Sequence, residues 1–263
     1  MDLTGAVRSM LAEFPGTFAV YARNLGTGAV VDIDADRVLP TESAAKTFIL
    51  ATYCRQIASG EHDPNRTIRV PPDFHVSGTG VLRYLHPGLE LTLDDLAWLM
   101  STVSDNIATA LLLLEIGGPD RVNALIADLG LDAARLSSYD EMAAGGGLAV
   151  SSPRDLAEAY AHLDSCTLEK LFHQQDHTGL ARGLRYHPLA TDHGTDIPLR
   201  VFNKTGTGPG NFIDAGRFET DSARWIIAGI ATDQTADAGS PDDDARVALG
   251  RLGKIVHDAW SHT

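Results

Sequence analysis

Apolar positions alternate with a period of two near both ends of the chain and with a helical period between them. "GTFAVYARNL" (16–25) alternates around aromatic and β-branched residues, "GTG" supplies a turn, and "AVVDIDA" (29–35) answers it, which predicts a β-hairpin. After residue 198, "PLRVFNKTG", "NFIDAGRFET" and "ARWIIAGIAT" predict three more strands. Helical periodicity fills the interval. One helix starts at Ser43; a second, "LTLDDLAWLMSTV", is capped by Thr92 ahead of Asp94 and Asp95; "NIATALLLLEI" follows. "PDRVNALIADLG" is opened by Pro119 and closed by Gly130, and "SSPRDLAEAYAHL" carries Pro153 in its first turn. "MDLTGAVRSMLAEF" and "DDDARVALGRLGKIVHDAW" predict terminal amphipathic helices, and "TADAGSPDDD" (235–244) a solvated loop. Two strands early and three late imply an α/β fold of the α+β kind: an antiparallel five-stranded sheet assembled from both termini and flanked by helices, with a helical lobe inserted. The expected organisation is a single domain over 1–263, with a sheet lobe of about 1–40 and 195–263 and an all-helical lobe of about 41–194.

Composition narrows the partners. With 263 residues, 44% of them hydrophobic, the chain can bury a full core. Its formal charge of −14 repels phosphate backbones and anionic lipid, so neither nucleic acid nor a membrane is an expected partner. No apolar run is long enough to span a bilayer, and the first residues lack the order of a secretory signal. That reading places the protein in the cytoplasm. Cys54 and Cys166 both fall in apolar helical contexts, where free thiols act as small hydrophobes, and they are not expected to pair.

Three polar motifs stand where hydrophobic patterning does not ask for them. In "TESAAKTFIL" (41–50), Ser43 and Lys46 lie three residues apart, one turn along a helix and on one face of it. "VSDN" sets Ser104, Asp105 and Asn106 between two apolar helices, and "NKTGTG" puts Lys204, Thr205, Gly206 and Thr207 at a strand end. Each motif alone is weak. Together and in order they are Ser-x-x-Lys, Ser-Asp-Asn and Lys-Thr-Gly, and on them the chain resembles the class A β-lactamase-like serine hydrolases of the β-lactamase and penicillin-binding protein superfamily. The likeness extends through "GTGVLRYLHPGLELTLDDLAWLMSTVSDNIATALLLLEIGG" to the last helix and Trp260.

The resemblance implies an acyl-Ser43 intermediate and no cofactor. A serine hydroxyl needs a neighbouring base, and Lys46 can serve only where burial and a second cation, Lys204, lower its pKa. Ser104 is then the proton shuttle, Asn106 holds a substrate amide, and Lys204, Thr205 and Gly206 form the site for a substrate carboxylate. The N–H groups of Ser43 and Thr207 make the oxyanion hole. For Asp105 a role in fixing its loop is expected rather than chemistry. The small-molecule substrate is expected to be a β-lactam or related cyclic amide. A cytoplasmic esterase or amidase, and a non-turnover binding or sensor protein, remain open.

Two departures bear on that choice. The family's water-activating glutamate falls, counted from Arg135 and Leu136, on Asp140, with Glu141 adjacent. The loop is short and glycine-rich, and Ser138 and Ala149 stand where its arginine and aspartate clamp belongs. On the strand after Lys-Thr-Gly, Asp214 occupies the place of a carboxylate-binding arginine, with Arg217 further on. His173 and His177 share a metal-compatible helical spacing, but no third ligand is apparent, so no metal is expected. "GTGPG" follows a strand without opening a helix, which argues against phosphate binding, and Trp98 reads as core.

Overall fold

The computed structural model describes residues 2–185, 198–233 and 243–262. In chain order the elements are α1 (Leu3–Leu11), β1 (Thr17–Asn24), β2 (Val30–Ile33), β3 (Leu39–Pro40), α2 (Lys46–Ala58), β4 (Thr67–Arg69), β5 (Glu90–Thr92), α3 (Leu93–Thr102) and α4 (Asn106–Glu115). There follow α5 (Gly118–Asp128), β6 (Arg135–Leu136), α6 (Tyr139–Ala143), β7 (Ala149–Ser151), α7 (Pro153–Ala159), α8 (Ser165–Phe172), β8 (Arg200–Gly208), β9 (Asn211–Glu219), β10 (Arg224–Thr232) and α9 (Asp244–Trp260).

The main sheet runs β2-β1-β10-β9-β8, with every pairing antiparallel. Strand β1 from the start of the chain pairs with β10 from its end, Thr17 opposite Thr232 and Asn24 opposite Trp225. This is the expected five-stranded sheet built from both termini. The period of two sorts β1 residues to opposite faces: Val20 and Ala22 join Leu249, Leu252, Val256 and Trp260 of α9 and Val7 of α1, while Ala19 and Tyr21 join α2 and α7. Each fully buried Leu, Ile or Phe on these faces contributes about 1.5–3 kcal/mol of transfer free energy. Two small sheets, β3-β7-β6 and β4-β5, brace the helical side; their short strands carry too little alternation to be read from sequence. The expected lobe boundary near residue 194 lies outside the described residues, as does most of the 235–244 loop.

Local chemistry accounts for the element ends. Thr92 and Asp95 form a capping box at the start of α3, and Asp105 caps α4 through Ala108 N–H at 3.0 Å. The helix expected from Ser43 instead begins as a 3-10 turn, Glu42–Ala45, and becomes α-helical at Lys46. Residues three apart eclipse in a 3-10 turn, so Ser43 and Lys46 keep a common side.

The cysteines correct the sequence reading. Cys54 on α2 and Cys166 on α8 form a disulfide, with Cα atoms 5.9 Å apart and a separation of 112 positions in sequence. Both contexts are apolar because these two helices pack against each other, a contact that no local pattern reveals. The histidine premise also changes: α8 ends at Phe172, His173 is its C-cap, and His177 lies in the loop beyond, so the pair shares no helix face. Trp98 is half-buried, its Nε1 donating to Asp94 Oδ2 at 3.0 Å beneath the Lys170 ammonium.

Candidate active site

Strand β8 is the last strand of the sheet among the described residues, and the turn that carries Ser43 packs against it. A Cβ built on Gly206 would stand 2.4 Å from Thr41 O and 2.9 Å from Ala44 N, so only glycine lets the strand approach the nucleophile's turn so closely. At the junction of α3 and α4, Ser104 adopts a left-handed φ of 57°. Asp105 secures the junction: its Oδ2 accepts Val81 N–H at 2.7 Å and Leu82 N–H at 2.9 Å. That is the loop-fixing role expected of it.

These elements enclose a cleft of about 770 Å³ lined by Ser43, Lys46, Ser104, Asn106, Lys204, Thr205 and Thr207, among others. Lys46 Nζ donates to Ser104 O at 2.8 Å, Ser104 Oγ at 3.0 Å and Asn106 Oδ1 at 2.7 Å. Lys204 Nζ reaches the same Ser104 Oγ at 3.1 Å and Thr205 O at 2.9 Å. The two amines therefore converge on one hydroxyl, in the cleft that Ser43 lines. With the Thr205 carbonyl directed to Lys204, the N–H of Thr207, two residues on along the same edge, also faces the cleft. Asn106 Nδ2 donates to Ser77 O at 2.7 Å, which leaves its second amide hydrogen for another acceptor.

Both lysines are buried, 2% and 1% exposed. Burial first, and then the Lys204 cation, push Lys46 well below the usual lysine range, against a smaller opposing pull from Asp105. Burial lowers Lys204 to about 8, opposed by Asp176 and Asp214. Both amines are thus easier to deprotonate than a surface lysine.

Asp140 and Glu141 are not brought to the cleft. Both are exposed on α6, and Glu141 closes a capping box with Ser138 while Arg135 grips both its carboxylate oxygens at 2.7 and 2.9 Å. The Arg135 pair, aided by the Ser138 backbone N–H, holds Glu141 down to about 2. Around them the cleft wall is apolar or small: Ala110, Leu113, Tyr139, Met142, Gly146, Gly147 and Leu148. Asp214 is also absent from the lining. It lies inside the sheet, accepting Asn203 Nδ2 at 2.9 Å and Leu180 N–H at 2.8 Å, and burial raises it to about 7. Arg217 pairs with Glu219 at 2.5 Å, away from the cleft.

Among the polar residues of the lining that sequence reasoning missed are Glu42, Gln174 and Asp176. Asp176 accepts Thr205 Oγ1–H at 3.0 Å and Thr178 Oγ1–H at 2.7 Å; burial alone would raise its pKa, but these hydrogen bonds and Arg246 outweigh it and the carboxyl is lowered. Arg246 of α9, paired with Asp243, places Nη2 3.4 Å from Thr207 Oγ1. Their loop and helix-start positions carry no motif; only adjacency to Ser43 could have flagged Glu42.

Comparison with known proteins is decisive about kinship. A family model described as the β-lactamase enzyme family matches residues 2–260. The chain belongs to that family. A β-lactamase of Streptomyces albus G is 28% identical over 253 residues, covering 89% of this chain and 79% of the relative. The β-lactamase regulatory protein BlaB of Streptomyces cacaoi is 33% identical over 131 residues, 49% of this chain and 41% of its own length. Among solved structures, a β-lactamase from Sphaerobacter thermophilus superposes with a TM-score of 0.82 at 26% identity, covering 98% of this chain and 96% of that one. The β-lactamase-family fold thus spans the chain from end to end.

Proposed function

We propose that this protein opens β-lactams or related cyclic amides by acylation of Ser43. The observation that carries the reading is the convergence of Lys46 and Lys204 on Ser104 Oγ in the cleft that Ser43 lines. Neutral Lys46 takes the Ser43 proton as Oγ attacks the carbonyl carbon, and the N–H groups of Ser43 and Thr207 bind the resulting oxyanion. The proton then passes from Lys46 through Ser104 to the ring nitrogen as the C–N bond breaks, leaving an ester on Ser43. Water later cleaves the ester, releasing the ring-opened acid and restoring the hydroxyl. Lys204, Thr205 and Gly206 serve the substrate carboxylate, and Asn106 meets the acyl amide.

A second reading has its own support. Because Asp140 and Glu141 face solvent and the adjacent wall is apolar, no carboxylate among the described residues on that side is placed to activate water, which favours a long-lived acyl-enzyme and a binding or sensing role. An esterase or amidase role gains from Thr205, whose hydroxyl is already given to Asp176 rather than left for a substrate carboxylate. The disulfide weighs against the cytoplasmic location, since such bonds persist in oxidising compartments. Among the described residues no helix is long and apolar enough to cross a membrane.

Intact-protein mass spectrometry after mixing with a penicillin and with an aryl ester separates these readings. The expected result is a Ser43 adduct with the penicillin that Ser43→Ala abolishes; an adduct that decays marks turnover and one that persists marks the binder. Hydrolysis of the ester alone supports the esterase. Unchanged activity in Ser43→Ala refutes the mechanism.

A further inference from the structure

The cleft lining holds two carboxylates, and they are not equivalent. Asp176 is saturated: it accepts from Thr178 N–H at 3.1 Å, Thr178 Oγ1–H at 2.7 Å and Thr205 Oγ1–H at 3.0 Å, and it interacts with the Arg246 cation. Glu42 accepts one hydrogen bond, from Asn211 Nδ2 at 3.0 Å, and takes part in none of the ion pairs among the described residues. Its charge is unspent.

The backbone aims that charge. Glu42 has a left-handed φ of 48°, a conformation that non-glycine residues keep only where the surroundings enforce it. The side chain is thereby laid against the end of β8: a Cβ built on Gly208 would lie 2.4 Å from Glu42 Oε1 and 2.5 Å from its carboxyl carbon. Glycine at 208 is what leaves room for the carboxylate. Lys46 and Lys204, by contrast, are buried and committed to Ser104, Asn106 and Thr205.

The proposed acylation fixes which part of a substrate meets this group, and the inference rests on that reading. The carbonyl oxygen sits between the N–H groups of Ser43 and Thr207, and the leaving nitrogen lies toward Ser104 and Lys204. The acyl substituent, its amide met by Asn106, then lies between Asn106 and the edge of β8, whose end at Gly208 carries the Glu42 carboxylate. We propose that Glu42 is a specificity-determining residue that favours substrates whose acyl substituent carries a cationic group such as an ammonium. The formal charge of −14 adds a long-range attraction for such substrates.

The test uses two penicillins that differ only in an ammonium on the acyl side chain. Their binding is measured by calorimetry to Ser43→Ala and to Ser43→Ala/Glu42→Gln, at low salt and at about 0.5 M salt. In Ser43→Ala at low salt the ammonium form binds about fivefold more tightly than its uncharged counterpart, the upper range for a partly exposed pair. The preference disappears in the double variant and at high salt. Equal affinities in Ser43→Ala, a ratio that Glu42→Gln leaves unchanged, or failure to bind either compound overturns the assignment. Mass spectrometry of the wild-type protein with the same pair distinguishes the two claims: acylation without preference sinks only the role of Glu42, whereas preferential binding without acylation sinks only the reaction.

Discussion

Lys46 and Lys204, 158 residues apart in the chain, donate to the same oxygen, Ser104 Oγ, at 3.0 and 3.1 Å. A hydroxyl between two amines whose pKa values are both lowered can pass a proton in either direction at little cost. Ser104→Ala removes the relay while keeping the Ser104 carbonyl, which Lys46 and Thr79 Oγ1 also engage. The acylation rate measured by stopped flow is expected to fall about 100- to 10,000-fold with the fold retained. An undiminished rate would exclude a shuttle at this position.

The two lysines also set the pH dependence. Lys46 acts as base only when neutral, so acylation rises with pH through its titration, which burial and the Lys204 cation bring below the ordinary value. Lys204→Gln deletes that cation, and the rising limb of the pH–rate profile is expected to move to higher pH. The position of the limb, read separately from its height, isolates this effect from any loss of substrate binding. A limb that stays in place would show that burial alone tunes Lys46.

Asp214 makes a prediction about stability. Its carboxyl is raised by burial from 3.8 to about 7, so between those values the folded protein holds a proton that the unfolded chain has released. Stability from this group is therefore fully present below about pH 4 and is lost as pH rises toward 7, by up to about 4 kcal/mol. Asp214→Asn keeps an acceptor for Leu180 N–H and removes the titration. Urea unfolding of the variant is expected to depend less steeply on pH across this window; an identical slope in both proteins would contradict the assignment.

Cutting the Cys54–Cys166 bond tests the packing of α2 on α8. The bond closes a loop of 112 residues, and its loss in Cys54→Ala/Cys166→Ala is expected to cost about 2–5 kcal/mol. Since Cys54 lies eleven residues beyond Ser43, acylation should survive in the folded fraction. Differential denaturation of the variant and the wild type reads the cost, and intact mass reads the acylation.

Much of this was legible in the chain because periodicity and caps are local. The alternation in "GTFAVYARNL" and "ARWIIAGIAT", and the Thr92 cap, translate directly into β1, β10 and α3. The motifs around Ser43, Ser104 and Lys204 were visible as polar residues in apolar settings, and the structure brings them together. What was hidden is contact between elements distant in sequence. The Cys54–Cys166 pairing needs the packing of α2 on α8, and Asp176 enters the cleft only because the loop after α8 crosses Thr205. Glu141 misled for a related reason: counting along a loop gives a position but no direction, and its own Ser138 cap turns the side chain outward.

The pairing of Thr17 with Thr232 also bears on how the molecule comes into being. A ribosome releases the nucleophile's turn early, yet the strand it must lean on, and the strand that closes the sheet over β1, emerge last. No folding unit containing a finished cleft can form on a shorter nascent chain, and the ordering cost of these distant pairings falls on one late, concerted step. Chemical competence and late synthesis are thus tied together: fragments ending before β8 would carry Ser43, Lys46 and Ser104 but lack Lys204 and the strand that completes the cleft.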